Sequence, residues 1–171
     1  LFYQYSSTNG KPTLVRTTIA GTAYDFNLSY DTEGRLDVLS YPNIAPARLR
    51  VNYDYDSWGN VVLVKNHTTP TIVYYSLQEA DALNRDVNVL LGNGLTEYRD
   101  FDRASGHLNS IQTGRGLSAT VQNLSFTWDE LGNLESRTNA LISKQETFVY
   151  DALNRLRSAQ VTGMAPVTID Y

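Results

Sequence analysis

The chain rewrites one short motif along its whole length. The motif is an aromatic residue, Asp, two variable residues, Gly or Asn, a usually polar residue and an apolar residue. Its aromatic, Asp and Gly or Asn positions are filled by Tyr30, Asp31 and Gly34; Tyr55, Asp56 and Gly59; Phe101, Asp102 and Gly106; Trp128, Asp129 and Gly132; and Tyr150, Asp151 and Asn154. An internal repeat of this kind fixes the architecture before any other sequence signal, because each copy forms one structural unit.

Weaker copies complete the series. The Phe101 copy carries one inserted residue, and the copy at Ala80 keeps Asp81 and Asn84 but lacks both apolar ends. Tyr5 begins a degenerate first copy, and Tyr171 begins a last copy that is cut off. The first residues of the copies stand at positions 5, 30, 55, 80, 101, 128, 150 and 171. We expect residues 1–171 to form a single array of about seven repeats, taken from a longer protein.

Residues before each motif alternate between apolar and polar. Phe26, Leu28 and Tyr30 share one parity, and Asn27 and Ser29 share the other. Period two predicts a half-buried strand. The same alternation precedes four further motif aromatics or their counterparts, at Val51-Tyr53-Tyr55, Leu124-Phe126-Trp128, Leu1-Tyr3-Tyr5 and Val167-Ile169-Tyr171.

The Asp and the Gly or Asn predict a tight turn after each strand. An Asp carboxylate accepts backbone N–H groups at the start of a type I turn, and Gly or Asn tolerates the positive φ that closes it. The alternative role for the repeated Asp is a calcium ligand. Calcium loops place several oxygen donors at alternate positions, which this motif does not do. We therefore expect a structural Asp, with no metal and no cofactor.

A returning strand follows each turn. Its apolar residues are three apart, as in Leu36 and Leu39, Val61 and Val64, and Leu108 and Ile111. Spacing of three breaks strict alternation and indicates a bulge or bend in this strand. Each copy is then a β-hairpin that cannot bury its aromatic face alone. The predicted fold is all-β, with stacked antiparallel hairpins forming a long curled or spiral sheet.

The motif resembles the signature of the YD repeats, also called Rhs repeats. Tyr30-Asp31-Thr32-Glu33-Gly34-Arg35-Leu36 carries the resemblance most fully, and the segment from Gly92 to Asp102 is similar to the Gly-Asn-Gly stretch that joins two such repeats. The family includes bacterial Rhs polymorphic toxins, the B and C components of insecticidal toxin complexes, and animal teneurins. The resemblance implies a hollow β-shell that encloses a toxic cargo domain in a secreted or cell-surface bacterial protein. The Asp-Pro motif at which such shells cleave themselves does not occur in this sequence.

Composition narrows the chemistry. The chain has no cysteine, a net charge of −4 and only two histidines, His67 and His107. His107 occupies the motif position of Arg35, which alternation places away from the apolar face. The sequence shows no nucleophile, zinc or nucleic-acid-binding motif, so we expect neither an enzyme nor a nucleic-acid partner.

Two functions fit these observations. The first is a structural shell segment, with the remaining repeats and the cargo domain of the parent protein as partners. The second is a module that binds carbohydrate or another cell-surface partner, because Tyr and Trp are suited to stack on sugars. Recurrence of the aromatics at one motif position favours the first. Unpaired strand edges also predict self-association of the chain.

Overall fold

In the computed structural model, every regular element of the described residues is a strand. The structure describes residues 1–43, 47–116 and 118–165, together with the backbone of residues 167 and 168. Its strands are β1 (Phe2–Tyr5), β2 (Pro12–Ile19), β3 (Thr22–Tyr30), β4 (Leu36–Ser40), β5 (Arg50–Tyr55), β6 (Val61–Asn66), β7 (Val73–Ala80), β8 (Asp86–Leu91), β9 (Thr96–Phe101), β10 (Leu108–Gly114), β11 (Gln122–Trp128), β12 (Leu134–Asn139), β13 (Lys144–Tyr150), β14 (Leu156–Val161) and β15 (Val167–Thr168). The copy predicted to begin at Tyr171 lies outside the described residues. Within those residues, no helix has the length and apolarity needed to span a membrane.

The chain divides into two compact units. The first comprises Leu1–Leu77 and Leu91–Asn93, and the second comprises Gln78–Leu90 and Gly94–Tyr171. In the first unit each strand from β1 to β7 pairs with its neighbour in the sequence, always antiparallel. In the second unit the strands from β8 to β15 do the same. The prediction of an all-β array of antiparallel hairpins is confirmed.

The predicted bulge lies between the two apolar residues of the returning strand that are three positions apart. Tyr30 pairs with Leu36 but Ser29 pairs with Val38, so Asp37 is the extra residue in the returning strand. Directly paired residues share a face, and therefore Leu36 and Leu39 both lie on the face of Tyr30. The same register shift, between the motif aromatic and the residue before it, occurs at Tyr5, Tyr55, Trp128 and Tyr150. The shift occurs at Phe101 too, since Phe101 pairs with Leu108 and Asp100 pairs with Ser110.

Burial in each unit is modest. Within the residues that the structure describes, strands contact only their neighbours in the sheet, so each unit is one layer of sheet. Among the described residues the buried apolar side chains are Val38, Val51 and Val89. Val38 pairs with Ser29 and so lies on the face opposite Tyr30. The motif aromatics are half-buried, and what covers them comes from the neighbouring hairpin.

Candidate functional site

Each turn is organised by its aspartate. In the β3–β4 turn, Asp31 Oδ1 accepts the Arg35 backbone N–H at 2.7 Å, and Oδ2 accepts Arg35 Nε at 2.7 Å. The Asp31 carbonyl accepts the Gly34 N–H at 3.0 Å, and the Arg35 carbonyl accepts the Asp31 N–H at 2.9 Å. This pattern is a three-residue hairpin loop, a type I turn followed by a residue with positive φ. The carboxylate and the backbone together leave few polar groups of the turn unsatisfied.

The other turns reuse this arrangement. Asp56, Asp81, Asp129 and Asp151 each accept both the backbone N–H and the side-chain N–H of the residue four positions on, which is Asn60, Arg85, Asn133 and Arg155 respectively. Asp102 differs because of the inserted residue: it accepts the backbone N–H and the hydroxyl of Ser105. The copy at Ala80, eroded in sequence, therefore keeps a complete turn.

These hydrogen bonds favour the charged carboxylate. The backbone N–H and then the guanidinium of Arg155 hold the pKa of Asp151 below its ordinary value of 3.8. The side-chain amide and backbone N–H of Asn133 lower the pKa of Asp129 in the same way. Both oxygens of Asp129 and of Asp151 accept hydrogen bonds within their own turn. Among the described residues, no three acidic or histidine side chains are grouped to hold a metal ion.

The residue that closes each turn adopts positive φ. The angle is +84° at Gly132 and +59° at Asn154. Both lie in the left-handed region, which Gly and Asn tolerate far better than other residues. The corresponding residues of the remaining turns, Gly34, Gly59, Asn84 and Gly106, have φ between +58° and +91°.

The polar residue after the turn reaches forward to the next hairpin. The Arg35 guanidinium carbon lies 4.6 Å from the centroid of the Tyr55 ring, and Arg35 Nη1 donates to the Asp56 carbonyl at 3.4 Å. Arg85 lies 4.0 Å from the Phe101 centroid and donates to the Gly106 carbonyl at 2.5 Å. Distances of this size are typical of cation–π contacts.

Two other hairpins make the same forward contact. Lys11 Nζ lies 5.1 Å from the Tyr30 centroid and donates to the Gly34 carbonyl. The His107 ring stacks on Trp128 with a centroid separation of 4.8 Å. The expectation that the position of His107 points away from the apolar face is wrong. The turn residue is not in strand geometry, so alternation does not govern the direction of its side chain.

The motif aromatic reaches back to the preceding hairpin. The Tyr55 hydroxyl donates to the Leu36 carbonyl at 2.8 Å, and Trp128 Nε1 donates to the Leu108 carbonyl at 2.9 Å. Leu36 and Leu108 are the first residues of their returning strands. Tyr30 and Tyr150 make equivalent bonds to the carbonyls of Pro12 and Leu134, at 2.8 and 3.0 Å.

We call each of these paired contacts a repeat junction: the forward side chain of one hairpin and the aromatic of the next. The junctions are Lys11 with Tyr30, Arg35 with Tyr55, Arg85 with Phe101, and His107 with Trp128. Before Tyr150 the forward position holds Asn133, which donates to Asn154 Oδ1 at 3.2 Å. Sequence reasoning missed the junctions, although one signal was present. Most motif aromatics are Tyr or Trp, which carry a hydrogen-bond donor that Phe lacks.

Shallow grooves separate consecutive turns. One, of about 580 Å³, lies between the β7–β8 and β9–β10 turns and is lined in part by Arg85, Arg99, Phe101 and Arg103. Phe101 carries Arg85 over its ring, and Arg99 pairs with Asp86 and Glu97. The second histidine of the chain, His67, places Nδ1 at 3.4 Å from Asn52 Oδ1. Three of these side chains thus have a neighbouring group of their own, namely Arg85 with Phe101, Arg99 with two carboxylates, and His67 with Asn52.

The backbone is similar to solved structures of one complex. No family model and no curated protein matches the sequence. The crystal structure of TcdB2-TccC3 matches 90% of this chain with a TM-score of 0.72 and 19% identity, and that of TcdB2-TccC3-Cdc42 matches 82% with a TM-score of 0.68 and 21% identity. The fold is shared with these chains. A third structure, TcdB2-TccC3-TEV, matches 90% with a TM-score of 0.52 and 16% identity. The chain spans 9%, 7% and 10% of those three chains.

Proposed function

We propose that the chain is a structural, non-enzymatic segment of an Rhs or YD-repeat toxin protein, and that it forms part of a β-shell around a cargo domain. The observation that carries the proposal is the repeat junction. The residues that most resemble functional groups contact one another: the turn Asp binds the following Arg within its own turn, and this Arg contacts the motif aromatic of the next hairpin. Such contacts hold an array together and leave no common ligand site.

The wider context of the proposal follows from the resemblance. The 171 residues form one array, continuous with further repeats of a secreted or cell-surface bacterial protein. The similarity to a small part of the TcdB2-TccC3 chains supports a role as one segment of a much larger protein. The partners are the remaining repeats and the cargo, with no nucleic acid and no cofactor.

Protease protection tests the shell. The protein that contains this segment is treated with a non-specific protease, and survival of its cargo is followed by mass spectrometry. We expect the cargo to resist digestion, and to lose resistance when two junctions are removed by Arg35→Ala and Arg85→Ala. Thr32→Ala, at an exposed position of the same turn as Arg35, is the control and keeps the protection. If the cargo of the unaltered protein is digested as fast as that of the double variant, the shell role is refuted.

The alternative is carbohydrate binding, and one residue favours it. Trp58 lies at the tip of the β5–β6 turn and is 83% exposed, which leaves its ring free to stack on a sugar. Against it, four motif aromatics carry a side chain of the preceding hairpin over the ring. A glycan array distinguishes the two. Saturable binding that Trp58→Ala abolishes would establish the alternative, and no binding at millimolar sugar would remove it.

A further inference from the structure

One repeat junction has a histidine as its forward side chain. Lys11 and Arg35 are permanent cations near neutral pH, as is Arg85. His107 takes their place above Trp128. Histidine ordinarily changes charge between about pH 5 and 8. The same position is thus occupied by a fixed charge in three junctions and by a switchable one in the fourth.

The imidazole is held between two parts of the following hairpin. Its ring is inclined at 30° to the Trp128 indole, at 4.8 Å between centroids. A Cβ atom built on Gly132 would lie 3.3 Å from His107 Nε2, so the ring also packs against the closing residue of the β11–β12 turn. Trp128 is fixed in turn by its bond to the Leu108 carbonyl. A change of charge on His107 therefore acts directly on the contact between two hairpins.

Most of the charged groups that line the groove around the imidazole are carboxylates. Asp102, from the same turn, and Asp129 and Glu130, from the next, line the groove that holds His107. Hydrogen bonds from the Ser105 backbone and hydroxyl, and then the charge of His107, lower the pKa of Asp102. The opposing cations are Arg85, which reaches the Gly106 carbonyl from the preceding turn, and Arg103, which lies in the same turn as His107. Three carboxylates against two guanidinium groups leave the surroundings net acidic.

We propose that the His107–Trp128 junction is a pH-sensitive contact, which joins its two hairpins more tightly when the imidazole is protonated. The imidazolium is then a cation on the indole face, equivalent to Arg35 on Tyr55. Protonation that favours the folded state contributes stability at pH values below the ordinary titration of histidine, near 6.5. This contribution is lost as the pH rises through neutrality. The other three junctions keep their charge and do not change.

Fluorescence isolates the contact, because the chain has only two tryptophans. In the Trp58→Phe protein all indole emission comes from Trp128. A protonated imidazole stacked on an indole quenches its emission, so we expect emission to fall as the pH is lowered from 8 to 5. The same protein with His107→Gln shows no such transition, whereas with His67→Gln it keeps the transition. Emission that is flat with pH, or that titrates equally with His107→Gln, overturns the proposal.

Unfolding measurements test the energetic part. Urea unfolding of the 171-residue chain is compared at pH 8 and pH 5.5 with that of His107→Arg, which carries the permanent cation of the other junctions. At each pH, the unfolding equilibrium constant of the native chain is divided by that of the variant. We expect this ratio to be about two- to fivefold smaller at pH 5.5 than at pH 8. An identical pH dependence of the two proteins overturns the proposal, as does a change of opposite sign.

Discussion

At the scale of the residue, each motif position has a separate physical task. The aspartate accepts the N–H groups of its turn, as Asp31 does for Arg35. The closing glycine supplies positive φ, and the aromatic donates to a carbonyl of the preceding hairpin, as Tyr55 does to Leu36. Because the tasks differ, substitutions at neighbouring positions of one motif have different and separable effects.

The closing glycine gives the most local prediction. Gly132→Val places a β-branched residue at φ +84° with its Cβ 3.3 Å from His107 Nε2. We expect destabilisation of about 1–3 kcal/mol, the usual range for a residue forced into a sparsely populated region. Urea denaturation monitored by circular dichroism measures it. Gly132→Asn is the matched control, since Asn154 holds this position at +59°, and it should lose far less. An unchanged midpoint for the Val variant would contradict the turn geometry.

The aromatic hydroxyl gives a second residue-scale prediction. Tyr55→Phe removes the hydrogen bond to the Leu36 carbonyl and keeps the ring beneath Arg35. The expected loss of stability is about 0.5–1.5 kcal/mol, the net contribution of a typical hydrogen bond. Tyr24→Phe serves as control, because within the described residues the Tyr24 hydroxyl has no hydrogen bond. Equal effects of the two substitutions would show that the Tyr55 bond does not stabilise the fold.

At the scale of the element, the hairpin is the unit and the junction joins units. The forward contact and the backward hydrogen bond connect the same two hairpins through different atoms, as Arg35 and Tyr55 illustrate. Removal of one contact leaves the other in place, so single substitutions understate the strength of a junction.

A double-mutant cycle measures one junction. Arg35→Ala and Tyr55→Ala are combined, and their coupling free energy of unfolding is expected to be about 0.5–1 kcal/mol, as for exposed cation–π pairs. Arg35→Ala combined with Tyr24→Ala gives the control cycle, with coupling near zero. The test fails if both cycles give the same value.

The stability of the chain at low pH measures the combined contribution of the turn aspartates. Hydrogen bonds lower the pKa of the turn aspartates. For Asp56, the largest effect comes from the Asn60 side chain and the next from the Asn60 backbone N–H. A lowered pKa means that their contribution is complete above the ordinary value of 3.8 and is lost as the pH falls through the lower folded-state value. We expect the urea midpoint to fall below about pH 5, after the small rise between pH 7 and pH 5 that protonation of His107 contributes.

The control for the acid effect removes one titrating group. Asp151→Asn keeps the shape of the side chain and abolishes its charge, so the fall in midpoint at low pH should be smaller than in the native chain. A native midpoint that does not change down to pH 3 would show that the turn carboxylates contribute nothing through their charge.

The sequence predicted the hairpin more fully than the junction, for a physical reason. Alternation and the spacing of Leu36 and Leu39 report on faces of a single hairpin, and both strands and bulge follow from them. The contact of Arg35 with Tyr55 joins two hairpins and depends on a turn side chain. No local periodicity encodes that direction. The same limit led to the wrong orientation for the position of His107.

At the scale of the whole molecule, the first strand presents an exposed edge. Among the described residues, β1 pairs with β2 alone. Its Phe2 and Tyr5 side chains are 55% and 59% exposed. An exposed apolar edge pairs readily with another chain.

We therefore predict self-association of the chain. Sedimentation velocity should show species larger than the 19.2 kDa monomer, in a proportion that rises with concentration. Phe2→Lys places a charge on the edge and should reduce the association. Val121→Lys, at an equally exposed position away from that edge, should leave it unchanged. A single monomeric species at high concentration would contradict the prediction.

Because the turns do not depend on the side chains at their tips, these tips are regularly spaced positions at which labels can be attached. Asp129 and Asp151 accept hydrogen bonds from the backbone of their turns and from the residue four positions on. Leu131 and Leu153, at the tips of these turns, therefore contribute only a backbone N–H to the turn. Their side chains are 75% and 71% exposed. The chain has no cysteine of its own. Cysteines introduced at these two tips would carry spectroscopic labels two strands apart, about 10 Å along the sheet. The distance between the two labels would then report the spacing of the hairpins in solution, also within a larger assembly that contains them.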